Sequence, residues 1–195
     1  MSANKAAVKT ANTAANIVNG LDLDALHAVA DAIALDPKKA QARFQVSTEW
    51  QGQTRSLATI SGFDLAGERV QRRFAIAADE PSELLGTNTA PNPQELLLAA
   101  LNACMSVGYV AGAATRGITL TALRIESEAA LDLRGFLGYP EVPAGAPEIR
   151  LKVTIAGNGS ADAFREIHAQ VQKTSPNLFH LTQPIKVAAD LAILA

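Results

Sequence analysis

Residues 96–116 hold Leu96, Leu97, Leu98, Leu101, Val107 and Val110, with alanines filling many of the places between and no charged side chain before Arg116. A helix that is apolar on nearly every side cannot stand alone in water; it is buried in a core or against another molecule. Its ends are marked. Asn92 suits the N-cap, Pro93 the first helical position, and Glu95 lies three residues after the cap, the arrangement of a capping box. Gly117 supplies the left-handed residue that ends it. The rest of the chain must be arranged to cover this segment. The apolar runs are expected to fall short of the ~20 residues that span a bilayer.

From residue 42 the period changes to two. Phe44, Val46 and Thr48 alternate with polar residues, followed by a turn over 51–54, a strand over 57–60, a turn over 64–67 and a strand over 69–77 carrying Val70, Phe74 and Ile76. Short connections make these three an antiparallel meander. A loop over 80–92, rich in Pro, Gly, Asn and Thr, feeds the apolar helix. Strands are expected again over 118–133 and 148–155, joined by a Gly- and Pro-rich excursion over 134–147. Ser160 caps a second helix with Phe164, Ile167 and Val171 on its inner face. That helix ends at Ser175-Pro176, and 184–194 reads as a closing strand. Upstream, residues 1–20 show little periodicity and read as an arm or a marginal helix. Residues 22–35 are a better helix, with Asp22 as cap, Leu23, Leu26, Ala30 and Ile33 on one face, and Pro37 beyond it. The order gives an α+β fold rather than a doubly wound sheet. It divides into a helical extension, 1–40, and a main domain, 41–195.

Composition narrows the function. A net charge of −2 offers no basic face, so neither nucleic acid nor a membrane is an expected partner. The N-terminus lacks the apolar core of a secretory signal. One cysteine, Cys104, excludes an intrachain disulfide framework and a cysteine-cluster zinc site, and suits a reducing cytoplasm. Metal-ligand spacing, a phosphate-cradling glycine loop and a GxSxG elbow are all missing, so no cofactor is expected.

Cys104 is the chemistry-bearing residue. Free cysteine is commonly a small core hydrophobe, and a reactive one must reach its thiolate. Cys104 lies about three turns into its helix, where the N-terminal dipole has faded, so activation would need a nearby cation. His27, His168 and His180 carry no local catalytic signature and read as structural.

The run Gly86-Thr-Asn, then Asn92-Pro-Gln-Glu-Leu-Leu-Leu-Ala-Ala-Leu-Asn-Ala-Cys104, resembles the hallmark segment of the OsmC/Ohr family, and Asp132-Leu-Arg-Gly-Phe-Leu-Gly resembles a subset of OsmC-like proteins. The resemblance covers the chain from about residue 42 onward. It implies curved antiparallel sheets wrapped around two long central helices in an intertwined homodimer, and reduction of organic hydroperoxides. It implies that Cys104 is the peroxidatic residue, oxidised to a sulfenic acid. Arg55 best matches the activating arginine, ahead of Arg72 and Arg73. Gln94 stands where peroxidase members carry glutamate, and Glu95 follows one place later. Glu95 is about 13 Å along a straight helix from Cys104 and about half a turn round it, so its own capping box is the simpler role. Family peroxidases carry a resolving cysteine where this chain has Ser175, which cannot form a disulfide. The two-cysteine cycle is therefore impossible within one chain. Three readings follow: a one-cysteine peroxidase served by an external thiol, a non-catalytic protein binding a small hydrophobic ligand at the dimer interface, or other nucleophilic chemistry at Cys104 such as thioester or disulfide exchange.

Overall fold

A computed structural model describes residues 16–194. The described chain starts with a short hairpin, β1 (Ile17–Val18) and β2 (Leu21–Asp22), turned by Asn19 and Gly20 at φ 52° and 80°. Asn-Gly is the pair that favours such a primed turn. The hairpin corrects the arm or marginal helix expected as far as residue 20; residues 1–15 lie outside the described residues. Asn19 reaches across to the main domain, donating from Nδ2 to Ile118 O at 2.9 Å and accepting from Leu120 N at 2.8 Å. α1 (Leu23–Leu35) follows, capped by Asp22 as expected, with Leu23 its one buried residue.

A four-stranded sheet comes next: β3 (Ala42–Phe44), β4 (Ser47–Trp50), β5 (Ser56–Leu65) and β6 (Glu68–Ala78). The single strand expected over 44–48 is broken at residues 45 and 46. Both pieces pair antiparallel with one edge of β5, through Phe44↔Phe63 and Ser47↔Thr59, while β6 takes the other edge. β5 runs past the expected residue 60 because a bulge between Ile60 and Gly62 absorbs the polar Ser61 without ending the ladder.

α2 (Pro93–Ala114) is the apolar helix, with its capping box formed and Gly117 at φ 67° just beyond it. Then come β7 (Leu120–Ala129), α3 (Leu133–Phe136), β8 (Ile149–Gly157), α4 (Ala161–Thr174) and α5 (Pro176–Thr182). β7 ends before residue 133 because Asp132 accepts from Arg134 N and starts α3. β7 and β8 form one antiparallel ladder from Leu120↔Gly157 to Ala129↔Ile149. The core lies between this hairpin and the helices: Leu101, Met105, Tyr109 and Ala113 of α2, Ile118, and Ile167 and Val171 of α4. α2 and α4 run antiparallel at close range. A Cβ at Gly108 would lie 3.0 Å from Val171 Cγ2, and one at Gly112 would lie 3.1 Å from Ile167 Cγ2. Cys104 continues that small-residue row by one more turn, opposite Ser175.

Two expectations are corrected here. Residues 184–194 are not a strand. α5 occupies 176–182, and the chain beyond it has no ladder partner, although Ile185, Val187, Leu191 and Ile193 keep a period of two and are exposed. A strand needs a neighbouring edge for its backbone groups, and among the described residues none reaches this segment. Second, α2 is long and apolar enough, at mean hydropathy 1.7, to cross a membrane by length and composition. Its inner row nevertheless packs on α4 and β7 as a core helix does. That packing covers one face of the helix: Val107 on the outer face is 70% exposed and Leu97 40%.

Candidate functional site

Cys104 sits half-buried on α2, where α4 gives way to α5. Ser175 is the junction residue. It closes α4, with its N–H donating to Val171 O at 2.9 Å, and caps α5, with Oγ accepting from Leu178 N at 3.4 Å. Its hydroxyl donates to Cys104 Sγ at 3.3 Å, and Ser175 is only 6% exposed. Asn177 pins the same turn to α2 by donating from Nδ2 to Ala100 O at 2.9 Å. Thus the sulfur is half-buried, with a fixed hydroxyl on its α4–α5 side. Farther along the same pair of helices, buried Tyr109 hydrogen-bonds through its hydroxyl with His168 Nδ1, and burial pushes the Tyr109 phenol up from its ordinary value. His168 therefore serves the helix contact, in line with its structural reading.

The approach to α2 is organised by Asp79. It is buried, and its carboxylate accepts from Thr54 Oγ1 at 2.6 Å, Thr87 Oγ1 at 2.5 Å, Thr89 Oγ1 at 2.9 Å, and the backbone N–H groups of Glu80, Thr87 and Thr89. The hydroxyls of Thr54 and Thr87, then the donors of Thr89, hold its carboxyl well below the usual carboxylate range against the opposing effect of burial. Gly86 is required by close approach, since a Cβ there would fall 1.7 Å from Glu80 O. The Gly86-Thr-Asn signature thus wraps the loop around Asp79. Through Thr54, Asp79 also ties the turn before β5 to the loop that launches α2.

Of the residues singled out from sequence, the chain brings together Cys104 and Ser175. Arg55 stays at its own turn, with Nε donating to Gly52 O at 3.5 Å. Its described hydrogen bond and that of the Cys104 sulfur go to different partners. Arg72 lies over the rings of Phe63 and Phe74, at 5.7 and 4.8 Å from their centroids. Glu95 Oε2 accepts from Asn92 N at 2.8 Å, so this carboxylate completes the capping box. Gln94 is exposed in the first turn. Asp79 was missed by the sequence reading because its partners are spread from residue 54 to residue 89. Asn102, which donates to Ser127 Oγ at 2.9 Å and fastens α2 to β7, was missed for the same reason. Among the described residues no His, Cys, Asp and Glu cluster could hold a metal ion.

The model of the OsmC-like protein family matches residues 86–190, which include the Gly86 loop, Cys104 and Ser175. The chain belongs to this family. Its fold is the α+β OsmC-like fold. Among solved structures, this OsmC-like chain is similar to an OsmC-like protein from Mycoplasma pneumoniae, with 21% identity over 71% of this chain and 86% of that one and a TM-score of 0.56. It is also similar to an OsmC-like protein of unknown function from Vibrio cholerae, with 12% identity over 70% and 91% of the two chains and a TM-score of 0.50. No curated protein matches it.

Proposed function

We propose that this OsmC-like chain is a one-cysteine thiol redox protein that reduces small hydrophobic organic hydroperoxides at Cys104. The observation that carries the reading is the half-buried sulfur held 3.3 Å from the Ser175 hydroxyl, within the segment that the family model matches. The Cys104 thiolate would attack the distal oxygen of R–O–O–H. The O–O bond breaks, an S–O bond forms, and the alkoxide leaves as the alcohol after taking a proton. Sulfur is oxidised by two electrons and the peroxide is reduced. A low-molecular-mass thiol then forms a mixed disulfide with release of water, and a second thiol frees Cys104. No bound cofactor is needed.

The working form is proposed to be a homodimer in a reducing cytoplasm. The outer face of α2, the free edges of β6 and β8, and the alternating apolar residues at 185–193 are all surfaces that a second copy would cover. A partner could also bring Arg55 or another cation to the sulfur, with which no cation hydrogen-bonds among the described residues. The engagement of Glu95 in its cap and of Arg55 at its own turn favours a second reading, a non-catalytic protein that binds an apolar molecule at the dimer interface. Intact-mass analysis after one equivalent of cumene hydroperoxide, with a sulfenate trap present, separates the two. A single adduct absent from Cys104→Ser supports the redox reading. Folded protein that stays unmodified sinks it.

A further inference from the structure

Ser175 hydrogen-bonds the sulfur, yet neither its lost disulfide chemistry nor its capping role accounts for that bond. A serine hydroxyl has one donor and two acceptor sites. One acceptor site takes the N–H of Leu178, and Ser175 is 6% exposed, so water has little access to the hydroxyl proton. Cys104 Sγ is the acceptor in reach, at 3.3 Å. Both ends of the pair are held from outside it: Ser175 by the α4–α5 junction, and Cys104 by the row that brings Gly108 and Gly112 against Val171 and Ile167. The donor is therefore in place before any reaction and costs little ordering when charge develops on sulfur.

We propose that Ser175 is a positioning residue for Cys104: its hydroxyl fixes the orientation of the half-buried sulfur and, after oxidation, holds the sulfenic acid until a thiol from outside the chain arrives. The proposal rests on the redox reading above for its second half, while the orienting half stands on the geometry. A hydrogen bond to a sulfur anion is charge-assisted and worth more than one to a neutral thiol, so the hydroxyl favours the reacting form. Because Cys104 is the chain's one cysteine and Ser175 cannot form a disulfide with it, no second thiol of the same chain competes with an external one. One residue thus assists oxidation and leaves the second half of the cycle open.

The test compares full-length wild type with Ser175→Ala, Ser175→Gly and Ser175→Thr, each confirmed folded by circular dichroism. Glycine is tolerated at a helix N-cap, so it removes the hydroxyl while sparing α5. Two rates are read: alkylation of Cys104 by iodoacetamide, and formation of the trapped sulfenate after one equivalent of cumene hydroperoxide. Alanine and glycine are expected to slow both by about tenfold, the effect of one good hydrogen bond, and threonine to restore them. A merely structural role would move the melting temperature and leave alkylation of the folded protein unchanged. Alkylation in the glycine variant at the wild-type rate overturns the proposal. If wild type is inert to peroxide while the alkylation rates still divide by hydroxyl, the redox reading fails and the orienting role stands. Ser175→Cys provides a check that needs no peroxide. Diamide should give an intrachain disulfide, seen as a loss of two mass units, and its absence would mean that the side chains do not meet.

Discussion

The half built from α2, α4, β7 and β8 and the half built from β3 to β6 are finished differently. In the first, Leu101, Met105, Tyr109, Ile167 and Val171 are closed off from water within the single chain. In the second, every residue of β6 except Ala78 is exposed, and Trp50 is 75% and Phe44 74% exposed. Ladder hydrogen bonds and a few side-chain contacts on its faces shape the sheet, while apolar packing completes the helical half. This open apolar face is the surface that the proposed second copy would cover. The site follows the same division. Cys104 and Ser175 belong to the finished half, and their geometry is complete. Arg55 belongs to the unfinished half, where it hydrogen-bonds at its own turn.

The sharpest way to break the comparison is to open a cavity in the finished half. Ile167→Ala should cost about 2–5 kcal/mol and lower the melting temperature by about 5–15 °C. A loss below about 1 kcal/mol would mean that this core is no better closed than the sheet. Next is Asp79, which ties the two halves together through Thr54. Its carboxyl is held below its unfolded value of about 3.9, so its contribution is fully present above that value and is lost as pH falls toward the folded one. Wild type should lose melting temperature on acidification below about pH 4. Asp79→Asn should be less stable at neutral pH and lose part of that acid slope. An unchanged slope in thermal melts from pH 6 to 2.5 would remove Asp79 from the account. The smallest effect on the chain itself is expected in the sheet. Phe74→Ser should change the unfolding free energy of the isolated chain by only about 0.5 kcal/mol, yet weaken self-association in sedimentation velocity. Unaltered association would show that this part of the sheet is not what a partner covers.

Local signals were legible where a few neighbouring residues settle the matter. Asn92, Pro93, Glu95 and Gly117 bounded α2 before any coordinates, and Asp22 and Ser160 capped their helices as read. The 184–194 strand failed for the opposite reason. Its alternation is genuine, but strand formation depends on an available edge rather than on its own residues. Residues 17–22 were legible in principle, since Asn19-Gly20 is a hairpin pair, but strands of two residues are too short to show a period.

By itself the sequence determined that one apolar helix had to be buried, where it begins and ends, that Cys104 is the only thiol, and that Ser175 cannot close a disulfide with it. These follow from near-neighbour backbone chemistry and from counting. Only tertiary structure decided that Ser175 donates to Cys104, that Asp79 gathers Thr54, Thr87 and Thr89, and that Glu95 and Arg55 are engaged elsewhere. Such facts depend on which distant segments share a few ångströms. Here that was set by the close approach of α2 and α4 along a row of small residues, and no local spacing encodes it.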